Sequence, residues 1–192
     1  MRKKESKKKQ VLLSVVIAVI MVSSILGYMF GREEPNTVEY NKLKFYQKNF
    51  LWATKINGVE VVFHNFPSAV EYINISDEIF SRITSTLEVD STYDQNSSFV
   101  EDIALAQHSL EQIFSNFFNI YLRKGLTTKS NYNIPIITCA DATPVIPVLY
   151  FKTGNTTVVY MENNCIIAEA RNGNEFLNIK DRLMYGLLGI IE

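Results

Sequence analysis

The chain has 192 residues, 47% of them hydrophobic and 12% aromatic, which is enough apolar surface to build a core and excludes a disordered chain. Nineteen Lys and Arg against twenty Asp and Glu give a formal net charge of −1. Six of those cations, Arg2, Lys3, Lys4, Lys7, Lys8 and Lys9, stand in the first ten residues against one acid, Glu5. The rest of the chain is therefore acidic and lacks a Lys/Arg stripe, which argues against nucleic acid as a partner.

Val11 to Phe30, VLLSVVIAVIMVSSILGYMF, is an unbroken run without a charged residue. At 1.5 Å per residue it matches the roughly 30 Å hydrocarbon core of a bilayer. The basic excess before it places the N-terminus on the cytoplasmic side. The expected organisation is a basic cytoplasmic tail at 1–10, a transmembrane signal anchor at 11–30 in contact with membrane lipid, a stalk at 31–37 and one extracytoplasmic domain at 38–192. The competing reading is a cleaved signal peptide. Its apolar core usually runs about 7–15 residues and ends in an A-x-A-like site, which Ser23-Ser24-Ile25-Leu26-Gly27 does not resemble. Ser23, Gly27 and Gly31 recur at the spacing that lets two membrane helices approach, so a homo-oligomer is one expectation; the ordinary frequency of small residues in membrane helices is the other.

Pro35 and Asn36 break any helix continuing from the anchor. Phe50–Ile56 and Val59–Phe63 flank Asn57-Gly58, the pair that favours a type I′ hairpin turn, with Val59, Val61 and Phe63 on one face. A helical turn over 67–75, a helix over 77–86 and a strand over 87–93 follow. Ser98-Phe-Val-Glu101 reads as a capping box opening a long helix, with Val100, Ile103, Gln107, Leu110, Phe114, Phe117 and Tyr121 on one face. Arg123 and Lys124 fit its last turn and Gly125 its end. Asn133–Cys139 reads as a strand, making the long helix a crossover between parallel strands. Val145–Lys152 is apolar on both faces, as a central strand should be. Thr156–Glu162 and Cys165–Ala170, joined by Asn163-Asn164, form a second hairpin. Asn174 caps a closing helix bearing Phe176, Ile179, Leu183 and Leu187; Gly186 and Gly189 serve close packing or its end, and Ile190-Ile191 dock on the core. The fold class is α/β (mixed α+β): a mixed parallel and antiparallel sheet with a long crossover helix and a C-terminal helix, behind one N-terminal transmembrane helix.

Cys139 and Cys165 are an even pair in a domain expected outside the cytoplasm, which suits one disulfide; inert buried thiols and redox chemistry are the alternatives. Cys139–Pro144 follows a strand expected to be parallel, the place where open α/β sheets bind ligands. Asp141 and Thr143 there, with Asp90 and Asp94 on the neighbouring strand, form a candidate ligand set for a hard cation or polar ligand. Against that, Asp and Thr commonly satisfy turn backbone, and no EF-hand spacing is present. His64 and His108 are isolated and form no metal motif. Asp181-Arg182 reads as the solvated face or end of a helix. No G-x-S-x-G, P-loop or G-x-G-x-x-G occurs, so the sequence implies no catalytic motif, metal or cofactor. Asn74-Ile-Ser76, Asn96-Ser-Ser98 and Asn155-Thr-Thr157 are N-glycosylation sequons at expected turns and element ends.

The series Ile137-Thr-Cys-Ala-Asp-Ala-Thr143, Pro147-Val148, Cys165-Ile166, Asp181-Arg-Leu-Met-Tyr-Gly186 and Gly189-Ile190 resembles uncharacterised single-pass membrane proteins of archaea. That resemblance implies an anchored archaeal protein and brings no activity, cofactor or site with it. The expectation for function is a binding or assembly module of the cell envelope with a protein partner there. The alternatives are an anchored enzyme using the Cys139–Thr143 loop and a pilin-like structural subunit. The last lacks the small residue expected before the apolar run, where Lys9-Gln10 stands.

Overall fold

The structure is a computed structural model that describes residues 7–30, 37–131 and 133–191, with the side chains of 9 and 11–26 in the first of these segments. Two units result, one ending at Thr37 and one running from Val38 to Glu192. In the first, a helix α1 spans Lys7–Phe30. Among the described residues no helix is long and apolar enough to cross a membrane. The described side chains of the apolar run stop at Leu26. The outermost part of the basic tail (1–6) and most of the stalk (31–36) lie outside the described residues, as does Gly31.

The second unit opens with four strands, β1 (Thr37–Tyr40), β2 (Leu43–Lys48), β3 (Leu51–Ile56) and β4 (Val59–Phe63), laid side by side in chain order. Each link is a two-residue turn: Asn41-Lys42, Asn49-Phe50 and Asn57-Gly58, all with positive φ. Positive φ at both central residues is the type I′ geometry, whose twist matches that of paired strands. The Asn57-Gly58 hairpin is the one the sequence announces. The two before it carry Lys and Phe where glycine is favoured, and β1 and β2 go unread from sequence. One face of this sheet supplies Phe45, Val61 and Phe63 to the core.

Pro67–Ala69 forms a single 3-10 turn, followed by helix α2 (Asp77–Thr84) and strand β5 (Glu88–Tyr93). Helix α3 covers Val100–Ile113 and ends in a π-helical turn, Phe114–Phe118, closed by Asn119 at φ 54°. The long helix expected through Tyr121 and Arg123 is thus corrected. Asn119 takes the left-handed conformation that non-glycine residues visit chiefly as Asn or Asp, and the chain re-enters as strand β6 (Tyr121–Lys124). Gly125 therefore does not cap the helix. The Ser98 capping box is corrected too, because the Phe99 amide donates to Ser97 Oγ at 3.2 Å. The crossover itself is present: β5 and β6 are parallel neighbours with α3 between them in sequence.

The expected strand at 133–139 reduces to one parallel bridge, Leu126 to Ile136, and Cys139–Asp141 is a 3-10 turn. Strands β7 (Val148–Thr153), β8 (Val158–Glu162) and β9 (Cys165–Ala170) complete a mixed sheet of order β6-β5-β7-β9-β8, antiparallel only at the β8 edge. As expected, β7 is central and β8–β9 pair as a hairpin.

Helix α4 (Gly173–Leu187) is capped by Asn172, not Asn174, through Oδ1 accepting from the Glu175 amide at 3.1 Å. It lies between the sheets. Phe176 meets Phe151 of β7 at 6.1 Å between ring centroids, while Tyr185 stacks on Phe63 of β4 at 4.1 Å. A layer covered on both sides has no solvated face, which is why even Lys180, Asp181 and Arg182 are buried. Gly186 gives the close approach expected of it: a Cβ there would sit 2.1 Å from the Phe80 ring of α2. Gly189 ends the helix at φ 66°, and Ile190 and Ile191 join the core.

Candidate functional site

The sheet dictates where a ligand crevice should form. From β5 the chain leaves through α3 towards β6; from β7 it leaves the other way, through β8 to β9. Between strands whose connections diverge, their carboxyl ends leave a gap that neither connection covers. A cavity of about 270 Å³ lies there, lined by Asp94, Asn96, Ser97, Ser98, Tyr150 and Thr153. The cavity lining holds no Lys or Arg. Asp94 Oδ1 accepts from the Asn96 amide at 2.9 Å and from Asn96 Nδ2 at 3.2 Å, leaving Oδ2 without a hydrogen bond among the described residues. Ser97 Oγ and Thr153 Oγ1 share a bond of 3.0 Å that ties the two strand ends together. Burial, and secondarily the Asp94 charge, raises the Tyr150 phenol, so it stays a protonated donor at neutral pH. The crevice offers one carboxylate acceptor, a row of hydroxyls and an amide.

The four candidate ligands read from sequence do not converge. Asp94 is in the crevice. Asp141 belongs to the turn whose Cys139 is bonded to Cys165, the first residue of β9, so it lies at the amino ends of the parallel strands. A six-residue strand, roughly 17–20 Å, separates the two ends. Asp141 Oδ2 accepts from both the amide and the hydroxyl of Thr138 at 2.8 Å, which holds its carboxyl below the usual range. Thr143 Oγ1 accepts from the Ile146 amide at 2.9 Å. Both therefore satisfy turn backbone. Asp90, 1% exposed, is gripped by both arms of Arg123 at 2.7 and 2.6 Å, with Glu88 at 3.3 Å from the same guanidinium. No cluster of three or more metal-ligating side chains forms among the described residues.

Cys139 and Cys165 form the disulfide, with Cα atoms 5.2 Å apart. It fastens the 126–147 excursion to the open face of the mixed sheet, where Ile137, Val148, Cys165 and Ile167 make a small second core. Of the three readings of these cysteines the disulfide is the one shown, and among the described residues there is no free cysteine.

The charges of α4 lie inside the domain, contrary to the solvated face expected from sequence. Asp181 is not on a solvated face; its Oδ2 accepts from the Asn65 amide at 2.7 Å and from Asn65 Nδ2 at 2.9 Å. Lys180, 0% exposed, pairs with Asp181 and lies 3.1 Å from His64 Nδ1. Burial, then the Lys180 charge, lowers the His64 pKa, so the ring is neutral and its Nδ1 accepts from the ammonium. Tyr185 donates to the Asn65 carbonyl at 2.6 Å. Together these contacts bind the end of β4 to α4. The apolar residues flanking positions 180–182 were the available sign that no face of this helix is wet. His108 stands on the exposed side of α3 near Glu111.

Asn74, Asn96 and Asn155 are exposed, at a turn or loop each. Asn96 is both a sequon asparagine and part of the crevice rim. Comparison of the chain with protein-family models, curated protein sequences and solved structures yields no match.

Proposed function

We propose that this chain is a single-pass envelope protein. In this reading residues 11–30 anchor it, the basic tail stays in the cytoplasm, and 38–192 stand outside as a module that binds a neutral, hydroxyl-rich ligand such as an envelope saccharide. The observation that carries the ligand half is the crevice between β5 and β7. A sugar hydroxyl donating to Asp94 Oδ2 makes a charge-assisted bond, stronger than one between neutral groups. Tyr150 adds an aromatic body with a polar tip. A cavity lining without cations gives an anionic ligand no counter-charge. For the anchor half, the uncharged run with its basic flank supports the orientation. A disulfide suits an oxidising compartment. The resemblance to archaeal single-pass proteins belongs to this same proposal.

The test is calorimetric titration of the full-length protein in detergent with a panel of envelope oligosaccharides. One or more should bind, and Asp94→Ala should weaken that binding about tenfold or more, since a hydrogen bond to a charged group contributes about 1.5–3 kcal/mol. Binding that survives both Asp94→Ala and Tyr150→Ala, or no binding across the panel, would sink the crevice reading.

A further inference from the structure

Three hairpins of identical connection length lie next to one another in the first sheet, and they differ in one respect. At Asn57-Gly58 the second turn residue, at φ 83°, is the glycine this geometry favours; at Asn41-Lys42 and Asn49-Phe50 it is a lysine and a phenylalanine, both at φ 66°. A bulky residue at positive φ is a conformational outlier, and such outliers persist where something other than stability selects them. Phe50 is also 98% exposed, so no contact within the fold offsets the strain. Of the two non-glycine tips, only Phe50 holds an apolar ring in water.

Its position bears on what that ring meets. Val38, where the compact unit begins, lies in β1; β1 runs to the Asn41-Lys42 turn, and β2 returns from it. The next turn, Asn49-Phe50, is therefore at the end of the sheet where the chain enters. β2 has six residues and β1 four, so the Phe50 tip projects past the start of β1. We propose that Phe50 is a second membrane contact, a hairpin tip whose ring seats in the interfacial layer of the bilayer that holds the anchor. This rests on the anchored reading above. A chain spans at most about 3.6 Å per residue, so a short stalk keeps an anchored domain near the lipid surface. Aromatic side chains concentrate at that interface.

The test uses the full chain reconstituted in phosphatidylcholine vesicles containing brominated lipid, which quenches tryptophan at the bilayer. Phe50→Trp in a Trp52→Phe background places the only tryptophan at the tip; Lys42→Trp in the same background places it at the opposite turn. We expect the tip tryptophan to be quenched at least threefold more than the Lys42→Trp control. Phe50→Gly is the second variant, because it suits the backbone and so should fold; it should raise the thermal midpoint and reduce the quenching of the native Trp52. A protein that floats with the vesicles but shows equal quenching at both turns overturns this proposal alone. A tip tryptophan shielded from aqueous iodide yet not quenched by brominated lipid points to a protein partner, and also overturns it. A chain that does not float with vesicles overturns the anchored reading and this proposal with it.

Discussion

Two buried groups show how single residues decide the stability of this domain. Lys180 and Asp181 have left water together, and their mutual attraction offsets that loss only while both are present. Lys180→Met leaves Asp181 as an uncompensated buried charge and should cost about 3–5 kcal/mol by urea denaturation; Lys180→Met with Asp181→Asn should cost clearly less. Glu175 carries a pH dependence. Hydrogen bonds from the Arg171 side chain, then from Thr157 and the Arg171 amide, pull its carboxyl down from 4.5 to about 2. Its contribution is therefore complete above pH 4.5 and is lost as pH falls towards 2. Arg171 is half exposed, so screening limits the effect to about 1–2 kcal/mol. Acid titration of thermal stability should show this slope, and Glu175→Gln should flatten it.

At the scale of elements, legibility followed local chemistry. Asn57-Gly58 and the apolar β7 read correctly because their signals are complete within a few residues. The end of α3 did not, since Phe114, Phe117 and Tyr121 continue helical spacing into a segment where β6 pairs with β5. Tyr121 proves 64% exposed, on the outer face of a strand. With 133–139 in the place that β6 in fact occupies, the expected binding loop falls at the wrong end of the sheet. Asp94 stands at the carboxyl ends of the strands as expected, while Asp141 and Thr143 stand in the turns before β7 at the opposite ends. The disulfide was legible from the even count of two cysteines, though its role was not: it pins an irregular excursion over the second core. Cys139→Ser with Cys165→Ser should destabilise the domain by about 3.5 kcal/mol, the loop entropy for a separation of 26 residues, as read by the urea midpoint.

For the whole molecule the anchored reading makes a topological prediction. In right-side-out membranes denatured in place, a bulky maleimide should label Cys139 and Cys165 only after reduction. External protease should leave a protected fragment containing the N-terminal tail. Free labelling without reductant would mean that the pair is not oxidised in the cell, and a protected C-terminal domain would reverse the orientation.

The middle layer of this domain is also its last-made part. The hairpins of the first sheet can close as soon as they exist, but the face bearing Phe45 and Phe63 is covered by Tyr185, and the mixed sheet rests on Phe176. Until α4 is made, the face bearing Phe45 and Phe63 lacks Tyr185, and the mixed sheet has α3 against it but not Phe176. Completion of the fold is therefore timed by the arrival of this helix and not by the order of the strands.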